Sequence, residues 1–431
     1  MNFTEAVDYL FSLGNEILAM KLGLAAMERL LARLGDPHRE FRSILVAGTN
    51  GKGSTCACLA AMLNAAGLKV GLFTSPHLVR ATERIRVGDA EISPETFAAL
   101  IARVRAAADE LVESGELPAR PTFFEHLAAA AFLHFQNERV DVAVLEVGLG
   151  GRLDATNVVT PEISVVAGIG YDHQEFLGET LTEIAGEKAA IIRPGGRAFI
   201  SAGQLPEAEA ALRDYVEKNQ ARADWVEPLP VAGCDATGAL RFEIGGEIFL
   251  TGLRGRHQAR NAALAAAVAR EFLGVGAERA VAAGLASVRW PGRLELFPGE
   301  PPILLDGAHN PQGALTLADF LENDFARRPV TLVFAAMRDK PVRELLSPLA
   351  RLVARVVATQ VAHSPRTMPA AALGEVAREC WNPSEVFEEP AFPDALARAR
   401  ALTPPDGAIL VSGSLYLVGE ATEFLELEKY V

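Results

Sequence analysis

Two successive runs of alternating strand and helix predict an α/β protein of two domains, a larger one with a mostly parallel sheet and a smaller Rossmann-like one. Three observations carry this. Apolar segments of strand length recur between helical segments from residue 43 to 201 and again from 303 to 412. A glycine-rich turn, GTNGKGS, joins the first of these strands to an Ala- and Leu-rich helix. Between the two runs lies WPGRLELFPGEPP (290–302), whose Pro and Gly density reads as a linker. The boundary is expected near 296, giving domains of 1–296 and 297–431.

Taken in order, 4–34 reads as helical and LGDP (34–37) as its stop. A strand over 43–47, the turn 48–53, a helix to about 64 and a strand over 69–73 follow. Helices are expected over 94–113 and 123–137. The stretch 141–147 contains VAVLEV, too continuously apolar for a wet face and so suited to a buried parallel strand. A strand over 163–169, a helix over 179–192 and a strand over 197–201 extend the alternation. Short β-like pieces occupy 220–255, then a helix over 258–273. The second alternation predicts strands at 303–305, 330–335, 355–359 and 408–412, with helices at 312–323 and 341–353.

Composition narrows the function classes. The 431 residues are 50% hydrophobic and 22% charged, with a formal net charge of −14. An acidic surface argues against nucleic-acid binding, while a local basic pocket for a small anion stays open. The first residues, MNFTEAVDYLF, do not read as a signal peptide, and no run of about 18 uncharged apolar residues predicts a membrane span. Four cysteines, at 56, 58, 234 and 380, include one CxC without a second pair, so buried small side chains in a reduced, cytoplasmic protein are the expectation.

The turn carries the first chemistry. In Gly48-Thr49-Asn50-Gly51-Lys52-Gly53-Ser54, glycines let backbone amides converge on phosphate oxygens, the helix N-terminus favours anions, and Lys52 adds charge. This predicts a P-loop ATPase-type domain. Walker A spacing is not met, because two residues separate Gly48 from Gly51 and Gly53 takes the slot after the lysine. A plain glycine-rich βα turn with an incidental lysine is the alternative. With no Ser or Thr directly after Lys52, metal ligands are expected elsewhere.

GTNGKGS resembles the phosphate loop of the Mur ligase superfamily. TSPHL (74–78), ERIRV (83–87), LEVGLGGRLDATN (145–157), DHQEFLG (172–178), EKAAIIRPG (187–195), WPGR (290–293), DGAHNP (306–311) and GSLY (413–416) resemble its folylpolyglutamate synthase/dihydrofolate synthase branch, in family order. The resemblance implies a Mur ligase-like fold and an ATP- and Mg2+-dependent ligase adding L-glutamate to a folate or to dihydropteroate. The route would be an acyl phosphate, releasing ADP and phosphate. Oxide is too poor a leaving group for an amine to displace, and phosphorylation makes the carboxylate an electrophile.

Residue roles follow from the resemblance. Thr49, Asn50, Gly51, Lys52, Gly53, Ser54, Asn261, Arg293 and Asp306 are expected at ATP. Ser75, Glu146 and His173 are expected at magnesium, and His309 near the incoming glutamate. Thr122, Phe124, Leu153, Asp154 and Ala155 are similar to the pterin-side pocket, with Met20, Lys21 and Leu22 at its rim. Ser414 and Tyr416 are expected near glutamate. From the residues alone, Glu146 is a carboxylate in an apolar run, costly to bury without a cation, although it could escape at a strand edge. Phe124 could equally be core, and GSLY a strand end and turn. Lys188 matches a carbamylated lysine of the family. An ammonium about 4 Å from a divalent cation would be repelled by roughly 8 kcal/mol at an effective dielectric near 20. A surface lysine paired with Glu187 or a neighbouring acid is the alternative.

Rivals are weaker. A Mur enzyme acting on a nucleotide-sugar peptide would need a further domain ahead of the loop, and only 47 residues precede Gly48. A guanine-nucleotide switch would carry Asn/Thr-Lys-x-Asp, and no lysine here follows Asn or Thr. Intact Lys52, Glu146, His173 and Lys188 speak against a catalytically dead relative. A monomer is expected.

Overall fold

The computed structural model describes residues 1–14, 23–244, 246–325, 328–362 and 364–428. These form two compact units, Met1–Leu229 with Arg260–Ser287, and Pro230–Ala259 with Val288–Val431. The chain passes between these units three times. The reason is a three-stranded sheet that belongs with the second unit. Gly238 in its first turn lies where a Cβ would come 2.6 Å from the Phe320 ring.

In the first unit, helices α1 (Phe3–Ser12) and α2 (Ala25–Leu34) precede β1 (Arg42–Ala47). The glycine-rich turn then opens α3 (Lys52–Ala65), followed by β2 (Val70–Phe73), β3 (Ile85–Val87) and β4 (Ala90–Glu91). Two long helices, α4 (Pro94–Glu113) and α5 (Phe123–Glu138), lead to β5 (Val142–Glu146) and β6 (Ile163–Val166). The short α6 (Gln174–Leu177), α7 (Leu181–Ala189), β7 (Arg197–Ser201), α8 (Pro206–Lys218) and β8 (Arg222–Val226) complete the sheet. Strand order is β4-β3-β2-β5-β1-β6-β7-β8, parallel from β2 to β8 and antiparallel at β3 and β4. Strands β1, β2, β5 and β6 are buried along almost their whole length, as their unbroken apolar runs require. Helix α9 (Gln258–Leu273) and α10 (Ala277–Ser287) also lie here apart from the first two residues of α9. Gly284 lets α10 approach α3 so closely that a Cβ would come 2.5 Å from Met62 Cα.

In the second unit, β9 (Val231–Cys234), β10 (Ala239–Ile244) and β11 (Glu247–Arg254) form the antiparallel three-stranded sheet. A six-stranded sheet follows, built from β12 (Glu295–Phe297), β13 (Ile303–Leu305), β14 (Val330–Phe334), β15 (Arg355–Ala358), β16 (Val386–Glu388) and β17 (Ala408–Ser412). Its order is β12-β13-β17-β14-β15-β16, with only β12 antiparallel. Helices α11 (Pro311–Asn323), α12 (Val342–Leu346), α13 (Ala370–Ala377), α14 (Phe392–Leu402) and α15 (Leu415–Glu428) cover it. The helix expected over 341–353 stops at Leu346 and gives way to one tighter turn, Ser347–Leu349, where Pro348 has no N–H to continue the ladder.

Candidate active site

Ligands of open α/β sheets bind beyond the carboxyl ends of the strands. In the first unit four neighbouring strands, β2, β5, β1 and β6, end in segments singled out by the sequence. The turn after β1 is strapped to the segment after β6. Thr49 and Asn50 amides donate to the Gly168 carbonyl at 2.8 and 3.1 Å, and the Thr49 hydroxyl donates to Gly170 O at 3.0 Å. Gln204 braces the far side, accepting from Ile169 N and donating to Ala167 O. Gly51 takes φ +88° as the residue before α3, and a Cβ there would fall on the side-chain oxygen of Asn261. This contact brings Asn261, 210 positions away in the sequence, against the loop. Lys52 opens the 14-residue α3, and its Nζ donates to Thr49 O at 3.4 Å. Ser54 is buried in the first turn of that helix.

Glu146 ends β5 and is 4% exposed; its Oε2 accepts from the backbone amide of Ser75, which follows β2, at 2.9 Å. Strand pairing explains the meeting, since Phe73 lies opposite Leu145. His173 stands after β6 with φ +50° at the start of α6, its amide donating to Asp172 Oδ1. Among the described residues no three His, Cys, Asp or Glu side chains converge as a metal cluster. Ser75, Glu146 and His173 would offer one hydroxyl, one carboxylate and one imidazole, of which the Ser75–Glu146 contact is the joined pair. So few protein donors do not make a structural zinc site, but they fit magnesium, which keeps several waters.

Lys188 lies on α7 and is 4% exposed. Burial, with help from the Lys52 charge, pulls its amine down to about 7, against the opposing fields of Asp172, Asp154 and Glu187. It is no surface lysine. Glu187 instead pairs with Arg152 at 2.8 Å. The 148–154 loop lies on this helix, because a Cβ at Gly151 would come 2.6 Å from Glu187 O and 3.0 Å from Lys188 O.

Phe124 is half-buried, its ring centroid 5.6 Å from that of Phe73, and its ring tip lies so close to Gly148 that a Cβ there would come 2.6 Å from Cζ. Thr122 caps α5: its hydroxyl accepts from Glu125 N while Glu125 Oε2 accepts from Thr122 N. Asp154 is buried and holds its own loop, accepting from Leu149 N, Thr156 N and Thr156 Oγ1. Burial pushes its carboxyl above the ordinary range in spite of these bonds. Leu153 is half-buried and Ala155 buried beside it. Met20, Lys21 and Leu22 lie outside the described residues.

Sequence reasoning named ERIRV without seeing what it does locally. Glu83 accepts from the amides of Leu78, Val79 and Arg80, and the Arg84 Nε donates to His77 Nδ1 at 2.8 Å. Together they fold the segment that presents Ser75. Burial and the neighbouring guanidinium hold His77 down to about 3, so it is neutral.

In the second unit, DGAHNP follows β13 and GSLY follows β17, and these strands are parallel neighbours. Asp306 is buried, accepting from Leu294 N and Ala308 N; burial raises its carboxyl, while the Arg293 charge opposes the shift. A Cβ on Gly307 would come 2.9 Å from Arg293 Nη1, so Arg293 lies against this motif. His309 Nδ1 bonds Gly307 O at 2.8 Å, which places the neutral ring's proton on Nδ1. Ser414 is buried and accepts from Tyr416 N, opening α15 where a simple turn was the alternative; Tyr416 is half exposed. His257 was not anticipated. It is half-buried, and desolvation together with the Arg293 charge lowers it to about 4.

A nucleotide-type loop, a carboxylate one strand away and a buried lysine beneath define a Mur-type ligase. The description "Mur ligase middle domain" matches residues 46–269, and "Mur ligase, glutamate ligase domain" matches 292–415. The chain belongs to the dihydrofolate synthase/folylpolyglutamate synthase family. It is 36% identical over 426 residues to the Bacillus subtilis dihydrofolate synthase/folylpolyglutamate synthase, covering 94% of this chain and 96% of that one. The Escherichia coli enzyme of the same name is 32% identical over 415 residues, covering 95% and 92%. Among solved structures, Mycobacterium tuberculosis folylpolyglutamate synthase complexed with ADP superposes with a TM-score of 0.90 at 32% identity, covering 98% of each chain. Escherichia coli FolC in complex with DHPP and ADP gives 0.85 at 29%, covering 100% and 98%.

Proposed function

We propose that this chain joins L-glutamate to a folate or to dihydropteroate, consuming ATP and releasing ADP and phosphate. The observation that carries the reading is the juxtaposition of the Lys52 loop with the Ser75–Glu146 contact at adjacent strand ends. In this reading a carboxylate oxygen of the acceptor attacks the γ-phosphorus and ADP leaves. The neutral amine of glutamate then attacks the acyl carbon, the carbon–oxygen bond to phosphate breaks, and the nitrogen loses a proton.

Thr49, Asn50, Gly51, Gly53 and Ser54 cradle the phosphates, Lys52 stabilises charge on the transferring group, and Asn261, Arg293 and Asp306 contact ATP. Ser75, Glu146 and His173 hold magnesium, which when bound offsets phosphate charge. Phe124, Thr122 and the 153–155 stretch line the acceptor pocket with residues 20–22 at its rim. His309, Ser414 and Tyr416 serve glutamate. Lys188 carries a carbamate: its amine, lowered to about 7, is partly neutral near neutral pH and so able to add carbon dioxide with loss of a proton. The resulting anion orients the metal ligands. The functional division runs 1–296 for ATP and acceptor and 297–431 for glutamate. A cytoplasmic monomer suits four free cysteines and the absence, among the described residues, of any helix long and apolar enough to cross a membrane.

The test offers ATP, magnesium and glutamate with dihydropteroate or tetrahydrofolate separately, reading phosphate and product mass. A product heavier by one glutamyl residue supports the reading. Phosphate release without such a product from either acceptor rejects it.

A further inference from the structure

The end of α11 holds a charge that stability alone does not explain. Asp324 follows this helix with its side chain wholly buried. Its Oδ1 accepts from Arg256 Nε at 2.8 Å, while Oδ2 has no partner among the described residues. The Arg256 side chain is half exposed, at 51%. A buried carboxylate with one oxygen unsatisfied is costly, and apolar replacement of such pairs is often neutral or stabilising. The surroundings are nonetheless built to hold it. Cys234 Sγ donates to the Asp324 carbonyl, and Gly238 leaves room for that carbonyl, which a Cβ would approach to 3.2 Å.

What the pair fixes is the segment entering α9. Arg256 stands between Gly255, whose Cβ would come 2.7 Å from His257 Cε1, and His257 itself. Gln258 N donates to Gly255 O and Ala259 N to Arg256 O, so Arg256 belongs to the turn that starts the helix carrying Asn261. The opposite end of α11 begins at Asn310, whose side chain accepts from Gly313 N directly after the DGAHNP motif. One helix of 13 residues thus anchors DGAHNP at its start and, through Asp324, the RGRHQ segment at its finish.

We propose that Asp324 and Arg256 are positioning residues for nucleotide binding, acting through His257 and the first turns of α9. The inference rests on the reading of Asn261 as an ATP contact. The experiment measures ADP affinity calorimetrically, acceptor affinity and thermal midpoint in the full chain for Asp324→Leu, Asp324→Asn, Arg256→Ala and the Leu/Ala double variant. Asp324→Leu should keep its midpoint within about 2 °C, the shift of a small stability change in a chain of this size. It should weaken ADP about five- to tenfold with acceptor affinity unchanged, and the double variant should lose no more, as coupled residues do. Asp324→Asn, which still accepts from Arg256 Nε, should recover most of the affinity. Arg256→Ala leaves a buried charge and can fail to fold; the Asp324 variants carry the test independently. Unchanged ADP affinity in Asp324→Leu overturns the proposal. So does a parallel loss of ADP affinity, acceptor affinity and midpoint, which marks a purely structural pair. A wild type that binds ADP but glutamylates neither acceptor rejects the proposed function while leaving this test readable.

Discussion

Lys188 is buried and Lys52 half-buried, and the two lie close enough for the Lys52 charge to lower the Lys188 amine. Their charges must be assigned different tasks. Lys52→Ala removes the charge on the transferring phosphoryl group without opening the core. Turnover should fall by about a hundredfold or more, with the melting curve unchanged, as for loss of one preorganised transition-state donor. Near-native turnover would remove Lys52 from the mechanism. Lys188→Met should abolish most activity, and intact mass of the wild type at low temperature should show an addition of one carbon dioxide. The pH dependence of stability gives a second reading. Left unmodified, the amine titrates near 7 folded and at 10.5 unfolded, so across that window the unfolded chain binds more protons and stability rises with pH. A carbamate gives the same sign, because on unfolding it reverts to an amine that takes up a proton. The wild type minus Lys188→Met difference should therefore rise from about pH 7 to 10, and a flat difference would mean that the folded Lys188 keeps an ordinary ammonium.

The loops at the strand ends are shaped by what glycine leaves out. At Gly148 a methyl group would meet the Phe124 ring, the residue that sequence left divided between core and pocket. Its half-buried position beside Phe73 suits a wall that is packed on one face and open on the other. Gly148→Ala should push that ring aside and raise the acceptor KM by about tenfold, in line with an overpacking cost of roughly 1–3 kcal/mol, with the ATP KM unchanged. An equal rise in both would make Phe124 core. Strands were the legible elements, because β1, β5 and β6 are buried on both faces and read as unbroken apolar runs. Helices α8, α10, α13, α14 and α15 were missed; α8 and α14 bury only a few side chains and show solvent a charged face. The phosphate loop was legible for the same local reason as the strands, being contiguous. Its neighbour Asn261 was named only through the family resemblance, and the Arg84–His77 bond and the Arg256–Asp324 pair were not legible at all, since each joins side chains whose meeting depends on packing. Thr122-x-x-Glu125 was different: the capping box was readable, and missing it left Thr122 described only as pocket.

At the scale of the whole chain, the proposed function divides the chemistry into activating a carboxylate and delivering an amine. The order of events leaves a chemical trace that no single residue controls. If the acceptor carboxylate attacks the γ-phosphorus, one of its own oxygens becomes the bridge of the acyl phosphate. When the amine displaces phosphate, the bond broken is the one between carbon and that oxygen. The oxygen must leave with the phosphate. An acceptor labelled with heavy oxygen in its carboxylate should therefore yield inorganic phosphate carrying one labelled atom per amide bond formed, with one ADP for each. Activation by adenylation would put the label in AMP and release pyrophosphate. The glycine-rich loop favours the first course, because Lys52 at the head of α3 adds its charge where the terminal phosphates would lie. Label in phosphate, dependent on both glutamate and acceptor, is the expected result; label in AMP would replace the acyl phosphate with an acyl adenylate.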